Sequence, residues 1–180
     1  WLCLLDYGCF SKKFLLKAIA ILEAFRSNYP KNYEEADPFP YQKLDTTLGY
    51  GYYRYAGLLQ EQSKETSKPD ETICRYYQAA AEKGWSSSFS EGDHFGTAIW
   101  VTDYVEYVLP FPGGLDNAVR LIDKYYEKDD PWLVEGSIER VLNLLHGKVE
   151  ASKSPSEFKQ TLAKFKNLIK KWNQEYGYSY

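Results

Sequence analysis

The 180-residue chain contains no methionine, only two histidines and three cysteines. Two widely separated histidines cannot build a histidine-rich metal site, so we expect no bound metal and no other cofactor. The cysteines (Cys3, Cys9 and Cys74) are odd in number and lack the close spacing of a disulfide framework or a zinc site. We therefore expect free thiols in a reducing compartment, which favours a cytoplasmic location.

Long apolar runs and an excess of positive charge are also missing. No run approaches the roughly 20 residues that span a bilayer, and the apolar start, Trp1 to Leu5, is too short for a signal peptide. Because the chain starts without methionine, we expect a processed, trimmed or incompletely recorded product. With 22 basic and 25 acidic residues the formal net charge is −3, whereas nucleic-acid binding usually depends on a basic surface. We predict a soluble protein with neither a membrane span nor a nucleic-acid partner.

Aromatic residues, in contrast, are abundant: 17 tyrosines, nine phenylalanines and five tryptophans. A buried ring removes a large area from water, and each buried tyrosine hydroxyl then requires a hydrogen-bond partner or a wet edge. We expect many half-buried tyrosines where helices meet.

The spacing of apolar residues predicts an all-α protein of about seven helices, arranged as antiparallel hairpins in a superhelix-like or irregular bundle. The stretch 94–109 is rich in strand-forming residues, but its length favours a helix. The chain is interpreted as one domain, 1–180, with possible sub-units 1–84 and 92–175. The predicted helices cover 11–26, 45–62, 70–84, 94–109, 116–126, 131–147 and 155–175.

Local signals set the predicted helix ends and contacts. Asp45 is a candidate N-cap, residues 154–157 (Ser-Pro-Ser-Glu) form a capping box, and Gly84 and Gly147 are candidate helix ends. The first helix is expected to bury Leu15, Ile19, Leu22 and Phe25. Close approach of a neighbouring helix is expected at Gly49, Gly51 and Gly57.

One hairpin carries a motif. Leu48-Gly49 begins one helix, and residues 76–84, Tyr-Tyr-Gln-Ala-Ala-Ala-Glu-Lys-Gly, end the next. This segment resembles a Sel1-like repeat, a relative of the tetratricopeptide repeats, although the connection between its helices is several residues longer than in the family. The resemblance implies an α/α superhelix with a protein-binding concave face. The matching residues are Leu48, Gly49, Tyr76, Tyr77, Ala80, Ala81, Glu82 and Gly84.

These observations favour a non-enzymatic protein–protein interaction module with an aromatic-rich groove. An adaptor, or an immunity-type protein that neutralises a toxin, would have this character. Exposed rings dominate interface energetics because they bury area at low conformational cost. The predicted partner-binding residues are Tyr50, Tyr53, Tyr55, Tyr76 and Trp85.

Two chemical alternatives stay open at this point. The carboxylates of Glu34, Glu35 and Asp37 are candidates for a general acid and base of a small carbohydrate-active enzyme, with tyrosines as stacking platforms. Glu91, Asp93 and His94 lie beside several serines, as in a hydrolytic site, but no nucleophile elbow surrounds them. A polar loop that caps the next helix is the simpler interpretation.

The last predicted helix is basic on one side. A basic amphipathic helix binds membranes or acidic partners in some proteins. The more common interpretation of such a lysine-rich side is that it faces solvent while the opposite side packs on the core. The lysines concerned are Lys159, Lys164, Lys166, Lys170 and Lys171.

Overall fold

The computed structural model describes residues 12–28, 39–63, 67–88, 94–126 and 132–177, with the side chains of 39–43, 84–88, 94–97 and 132 left out. Within these ranges all regular structure is helical, which confirms the predicted all-α class. The helices are α1 (Lys12–Asn28), α2 (Phe39–Gln62), α3 (Glu71–Ser88), α4 (His94–Val108), α5 (Gly114–Tyr125), α6 (Trp132–Glu150) and α7 (Pro155–Tyr176).

The chain divides into two compact units, residues 1–100 and 101–180. The division lies inside α4, so the first residues of that helix belong to the first unit and the rest to the second. The sequence placed a possible division between 84 and 92, in a connection between helices.

The first unit is built around the pair α2 and α3, with α1 packed against α2. The pair is antiparallel, because Gln60 contacts Tyr77 near one end and Asp45 contacts Lys83 near the other. Rings and small residues share its interior, as the composition predicted. The core cluster consists of Leu15, Ile19, Leu48, Tyr52, Tyr55, Ala80 and Trp100.

Close helix approach is achieved at two of the three predicted glycines. A methyl group on Gly49 would lie 2.6 Å from the Trp100 ring, and one on Gly51 would lie 3.2 Å from Ile19. Gly57 differs, since a methyl group there would meet no described atom within 4 Å. The packing explanation therefore holds for Gly49 and Gly51, whereas none of the described residues makes such a contact at Gly57.

The second unit contains the rest of α4 and the helices α5, α6 and α7. Its interior is more aliphatic and centres on α6, which packs against α5 and α7. The tight turn before α5 depends on glycine: Gly113 has a φ of 75°, and a methyl group on Gly114 would lie 2.0 Å from the Val108 carbonyl oxygen. Fully buried side chains of this unit include Val101, Val105, Ile122, Val134, Ile138, Val141, Leu142, Leu145 and Trp172.

The predicted N-cap of the last helix is confirmed, but the return bond of the capping box goes to Lys153 and not to Ser154. The Ser154 side chain accepts a hydrogen bond from the Glu157 backbone N–H, and Pro155 occupies the first turn. The Glu157 carboxylate in turn accepts from the Lys153 N–H. At the other end Gly177 adopts the left-handed conformation that terminates a helix.

Three predicted helix ends are wrong. Asp45 does not cap α2, because the helix begins at Phe39, with Pro40 in its first turn, where proline is well tolerated. Gly84 and Gly147 do not end their helices, which continue to Ser88 and Glu150. Glycine ends a helix when its backbone adopts a positive φ, and among the described glycines only Gly113 and Gly177 do so.

Candidate interaction surface

The predicted contact tyrosines are used largely for packing. Tyr55 is 5% exposed, so the expectation that it is an exposed contact residue is wrong. Its ring packs edge-on against Tyr76, with ring centroids 4.6 Å apart, and this contact keeps it in the core. Tyr50, Tyr53 and Tyr76 are half-buried and pack against the same core cluster.

The half-buried rings lie in two sets of contacts. Tyr53 stacks with Trp100 and contacts Tyr77, whereas Tyr76 contacts Tyr52 and Tyr55.

Several predicted site residues cannot be placed. The side chains of Trp85 and His94 lie outside the described residues, as do Glu34, Glu35, Asp37, Glu91 and Asp93. The partner-binding role of Tyr50, Tyr53, Tyr76 and Trp85 stays a prediction.

A partly buried ion cluster centred on Asp45 joins α1, α2 and α3. The Asp45 carboxylate accepts hydrogen bonds from Arg26 of α1, at 2.9 and 3.1 Å, and from Lys83 of α3, at 2.8 Å. Burial by itself raises the pKa of Asp45, but the hydrogen bonds and charges of Arg26 and Lys83 outweigh it and hold the pKa below its ordinary value. The cluster is therefore ionised at neutral pH and fixes the positions of the helices.

Beside this cluster, a tyrosine–carboxylate pair also links α1 to α2. The Tyr52 hydroxyl donates a hydrogen bond of 2.6 Å to Glu23. Burial of the ring, followed by this bond, raises the pKa of Tyr52. The pair occupies the Glu23 carboxylate, and Glu23 is the one acidic residue in the sequence of α1.

The sides of α1 that flank its buried stripe carry large exposed apolar residues. Phe14 is 63% exposed, Ile21 54% and Phe25 57%, and Leu16 is also exposed. Phe25 was expected in the buried stripe, and that expectation is wrong. Arg26 takes the inward position instead, because its guanidinium reaches Asp45.

The second unit has a polar cluster of its own. The Asp123 carboxylate of α5 accepts hydrogen bonds from Lys171 and Tyr176 of α7, and the Tyr176 ring stacks on Tyr126. Lys171 is thus held in an ion pair and is not part of a free basic face. Burial, followed by the bond to Asp123, raises the pKa of Tyr176. This cluster fastens α7 to α5.

A cavity of about 400 Å³ opens beside the turn that precedes α5. Residues 109–116 line it together with Lys148 and Lys164. Two lysines beside the first turn of a helix are compatible with a small anion, but Asp116 also lines the space and its carboxylate opposes one.

The described residues contain no group of three or more His, Cys, Asp and Glu side chains able to hold a metal ion. None of the described helices combines the length and the apolarity that crossing a bilayer requires.

No protein-family model, curated protein or solved structure matches this chain. The resemblance of residues 48–84 to a Sel1-like repeat therefore stays a prediction.

The exposed apolar residues of α1 were not predicted from the sequence, although a signal for them was present. Phe14 and Ile21 are large apolar residues that lie off the stripe formed by Leu15, Ile19 and Leu22, so burial of that stripe leaves them outside.

Proposed function

We propose that this chain is a non-enzymatic protein–protein interaction module and that α1 carries its main contact surface. The observation that supports this most is the exposure of Phe14 and Ile21, one beside the other along α1 and outside its buried stripe. Monomeric proteins seldom leave large apolar side chains clustered in water, and such clusters mark binding surfaces.

The packing of α1 makes this surface well defined. Leu15 and Ile19 are buried in the core, and Arg26 is held by Asp45 at the end of the helix. The helix is therefore fixed in rotation, and its apolar outer side is presented in one orientation. A preorganised surface loses little conformational entropy when a partner binds.

The tyrosine-rich side of α2 and α3 is retained in the proposal as a second contact area. Tyr50, Tyr53 and Tyr76 are half-buried, so part of each ring remains accessible. Rings held by a core and partly exposed are suited to binding because few rotamers are lost.

Affinity capture with the full chain tests the proposal. The double variant Phe14→Asp with Ile21→Asp removes apolar contacts from exposed positions, so it should fold normally and lose a partner that the unaltered chain retains. The matched control is Phe158→Asp, at a 43% exposed phenylalanine of α7, which should keep that partner. Circular dichroism verifies that the three chains are equally helical. If every captured protein were retained equally by the unaltered chain and the double variant, α1 would not be the contact surface.

A further inference from the structure

We propose that α1 is an exchangeable helix: in a dimer of this chain, α1 of each copy occupies the groove on α2 of the other copy. The groove is the surface of α2 that α1 covers in the structure, where Leu48, Tyr52 and Tyr55 form one core cluster with Leu15 and Ile19 of α1. The inference goes beyond the proposed function, because it concerns the buried side of α1 and not its exposed residues.

The attachment of α1 to the first unit uses few buried groups. Of the 17 residues of this helix, Leu15 and Ile19 are the buried ones, whereas Phe14, Leu16 and Ile21 are exposed. An element with few buried apolar side chains opens at a lower free energy than the core around it. We therefore expect α1 to separate from α2 while the rest of the unit stays folded.

The pair formed by α2 and α3 has contacts of its own. The Tyr76 ring packs against Tyr52 and Tyr55, and the Tyr77 hydroxyl donates a hydrogen bond of 2.7 Å to Gln60. None of these contacts involves α1, so they persist when α1 leaves. The groove on α2 therefore stays formed and accepts another helix of the same pattern.

The carboxylate at the edge of the groove has partners on both sides. Asp45 binds Arg26 of α1 and also Lys83 of α3, whose ammonium group lies 2.8 Å away. A charge that is left without a partner in a buried place is the costly outcome of breaking an ion pair. Departure of α1 avoids this outcome, because Lys83 belongs to α3 and remains beside Asp45. Arg26 of a second copy then restores the full cluster.

A second copy supplies an occupant that fits, since it carries the same Leu15, Ile19 and Arg26. Ten residues, 29–38, separate α1 from α2 in the sequence. An extended chain of that length spans about 33–36 Å, which exceeds the length of α1 itself, about 25 Å. An isolated helix of this size is marginal in water, so a separated α1 gains stability by docking on any copy of the groove. Two copies that exchange one helix each form a closed two-fold dimer.

Charge exchange at the contact between Arg26 and Asp45 tests the proposal on the full chain. One variant carries Arg26→Asp and the other Asp45→Arg, so each brings like charges together within its own chain. When the two variants are mixed, exchange of α1 places opposite charges in both grooves. Native mass spectrometry separates the mixed dimer from either homodimer by mass. The mixed dimer should be at least about tenfold more abundant than either homodimer, because like charges at a contact are strongly unfavourable.

Two controls use the same design. A chain with both Arg26→Asp and Asp45→Arg restores opposite charges within one copy and should form no more dimer than the unaltered chain. Asp123→Lys and Lys171→Asp break an ion pair between α5 and α7, where no exchange is proposed. A mixture of these two variants should show no excess of mixed dimer over random pairing.

Random pairing, or an absence of dimers, in the mixture of Arg26→Asp with Asp45→Arg would overturn the proposal. If circular dichroism shows that either variant is unfolded, the unaltered chain supplies the test. Its α1 amides should exchange hydrogen at least about tenfold faster than those of α2 and α3, and its dimer fraction should rise with concentration.

Equal protection of the three helices would refute the exchange. A chain that opened at α1 but stayed monomeric at every concentration would also refute it, and a helix of another protein would be the remaining occupant of the groove. These readouts do not depend on Phe14 and Ile21, so the proposed function stands or fails separately in the capture experiment.

Discussion

Among single residues, Asp45 shows most directly how a polar side chain determines the arrangement of helices. It is 6% exposed and binds cations from α1 and α3, so one carboxylate connects three elements of the first unit. Removing one member of a buried ionic cluster is costly, since the remaining charges keep their desolvation and lose their partner. The cluster therefore controls whether α1 is held against α2 and α3.

Replacing Asp45 with asparagine tests this role. Asp45→Asn preserves the shape of the side chain and removes the negative charge, and we expect the free energy of unfolding at pH 7 to fall by about 2 kcal/mol. The pKa of Asp45 is lowered in the folded chain, so its ionisation stabilises the fold above the unfolded value near 3.8 and this contribution is lost as the pH falls through the lower folded value. Urea unfolding at a series of pH values measures both effects.

The matched control is Tyr52→Phe, which removes a hydroxyl from the neighbouring α1–α2 contact. The pKa of Tyr52 is raised, so its hydroxyl titrates at alkaline pH, and its removal leaves the Asp45 cluster with its own acid dependence in place. The difference in stability between the unaltered chain and Asp45→Asn should shrink below about pH 4. A difference that is constant down to strongly acidic pH would show that the ion cluster is not the cause.

Residue-level prediction from the sequence succeeded for most of α1 and failed at one step. The spacing of Leu15, Ile19 and Leu22 identified the side that faces the core, but both Phe25 and Arg26 lie near the end of that stripe. Hydrophobicity favoured Phe25. The structure selects Arg26 because Asp45, 19 residues away, supplies a buried partner that a local pattern does not reveal.

At the scale of elements, the end of a helix was predicted correctly where its signal lay within a few residues of it in the sequence. The bond between Ser154 and Glu157 lies within four residues, and the Ser154 cap was predicted correctly. Gly84 and Gly147 were misread because glycine is also tolerated inside a helix when tertiary packing supports the helix. Asp45 was misread for the related reason that residues typical of an N-cap also form buried ion pairs.

The cap of α7 gives a prediction at this scale. Ser154→Ala removes the acceptor of the Glu157 N–H and should lower the free energy of unfolding by about 1 kcal/mol. Ser156→Ala, two residues further along, removes an exposed hydroxyl inside the first turn and should change it by less than about 0.5 kcal/mol. Thermal and urea unfolding measure both variants. Equal effects of the two substitutions would show that the Ser154 side chain has no capping role.

For the whole molecule, the sequence predicted the all-α fold class and the seven helices that the described residues form, because periodic apolar residues are local signals. The division after residue 100 could not be predicted from the sequence, because it falls within a continuous helix and leaves no break in the spacing of apolar residues. Only part of the candidate interaction surface could be predicted from the sequence. Tyrosine abundance indicated an aromatic surface, but whether a ring is exposed depends on helices far apart in sequence, and Tyr55 is in the core for that reason.

The two units each have a buried core of their own, and this leads to a prediction for the whole chain. Ile73 in α3 and Ile138 in α6 are both 1% exposed, so they form a matched pair, one in each unit. Truncation to alanine at such a site costs about 2–5 kcal/mol, and truncation to valine about 0.5–1.5 kcal/mol.

Amide hydrogen exchange, followed along the full chain by proteolysis and mass spectrometry, reports where protection is lost. Ile73→Val should reduce protection mainly in α1–α3 and Ile138→Val mainly in α5–α7, with the alanine variants extending the same pattern. Since each unit has its own apolar interior, a loss of protection spread evenly over both units by either substitution would mean that the chain unfolds as one cooperative body.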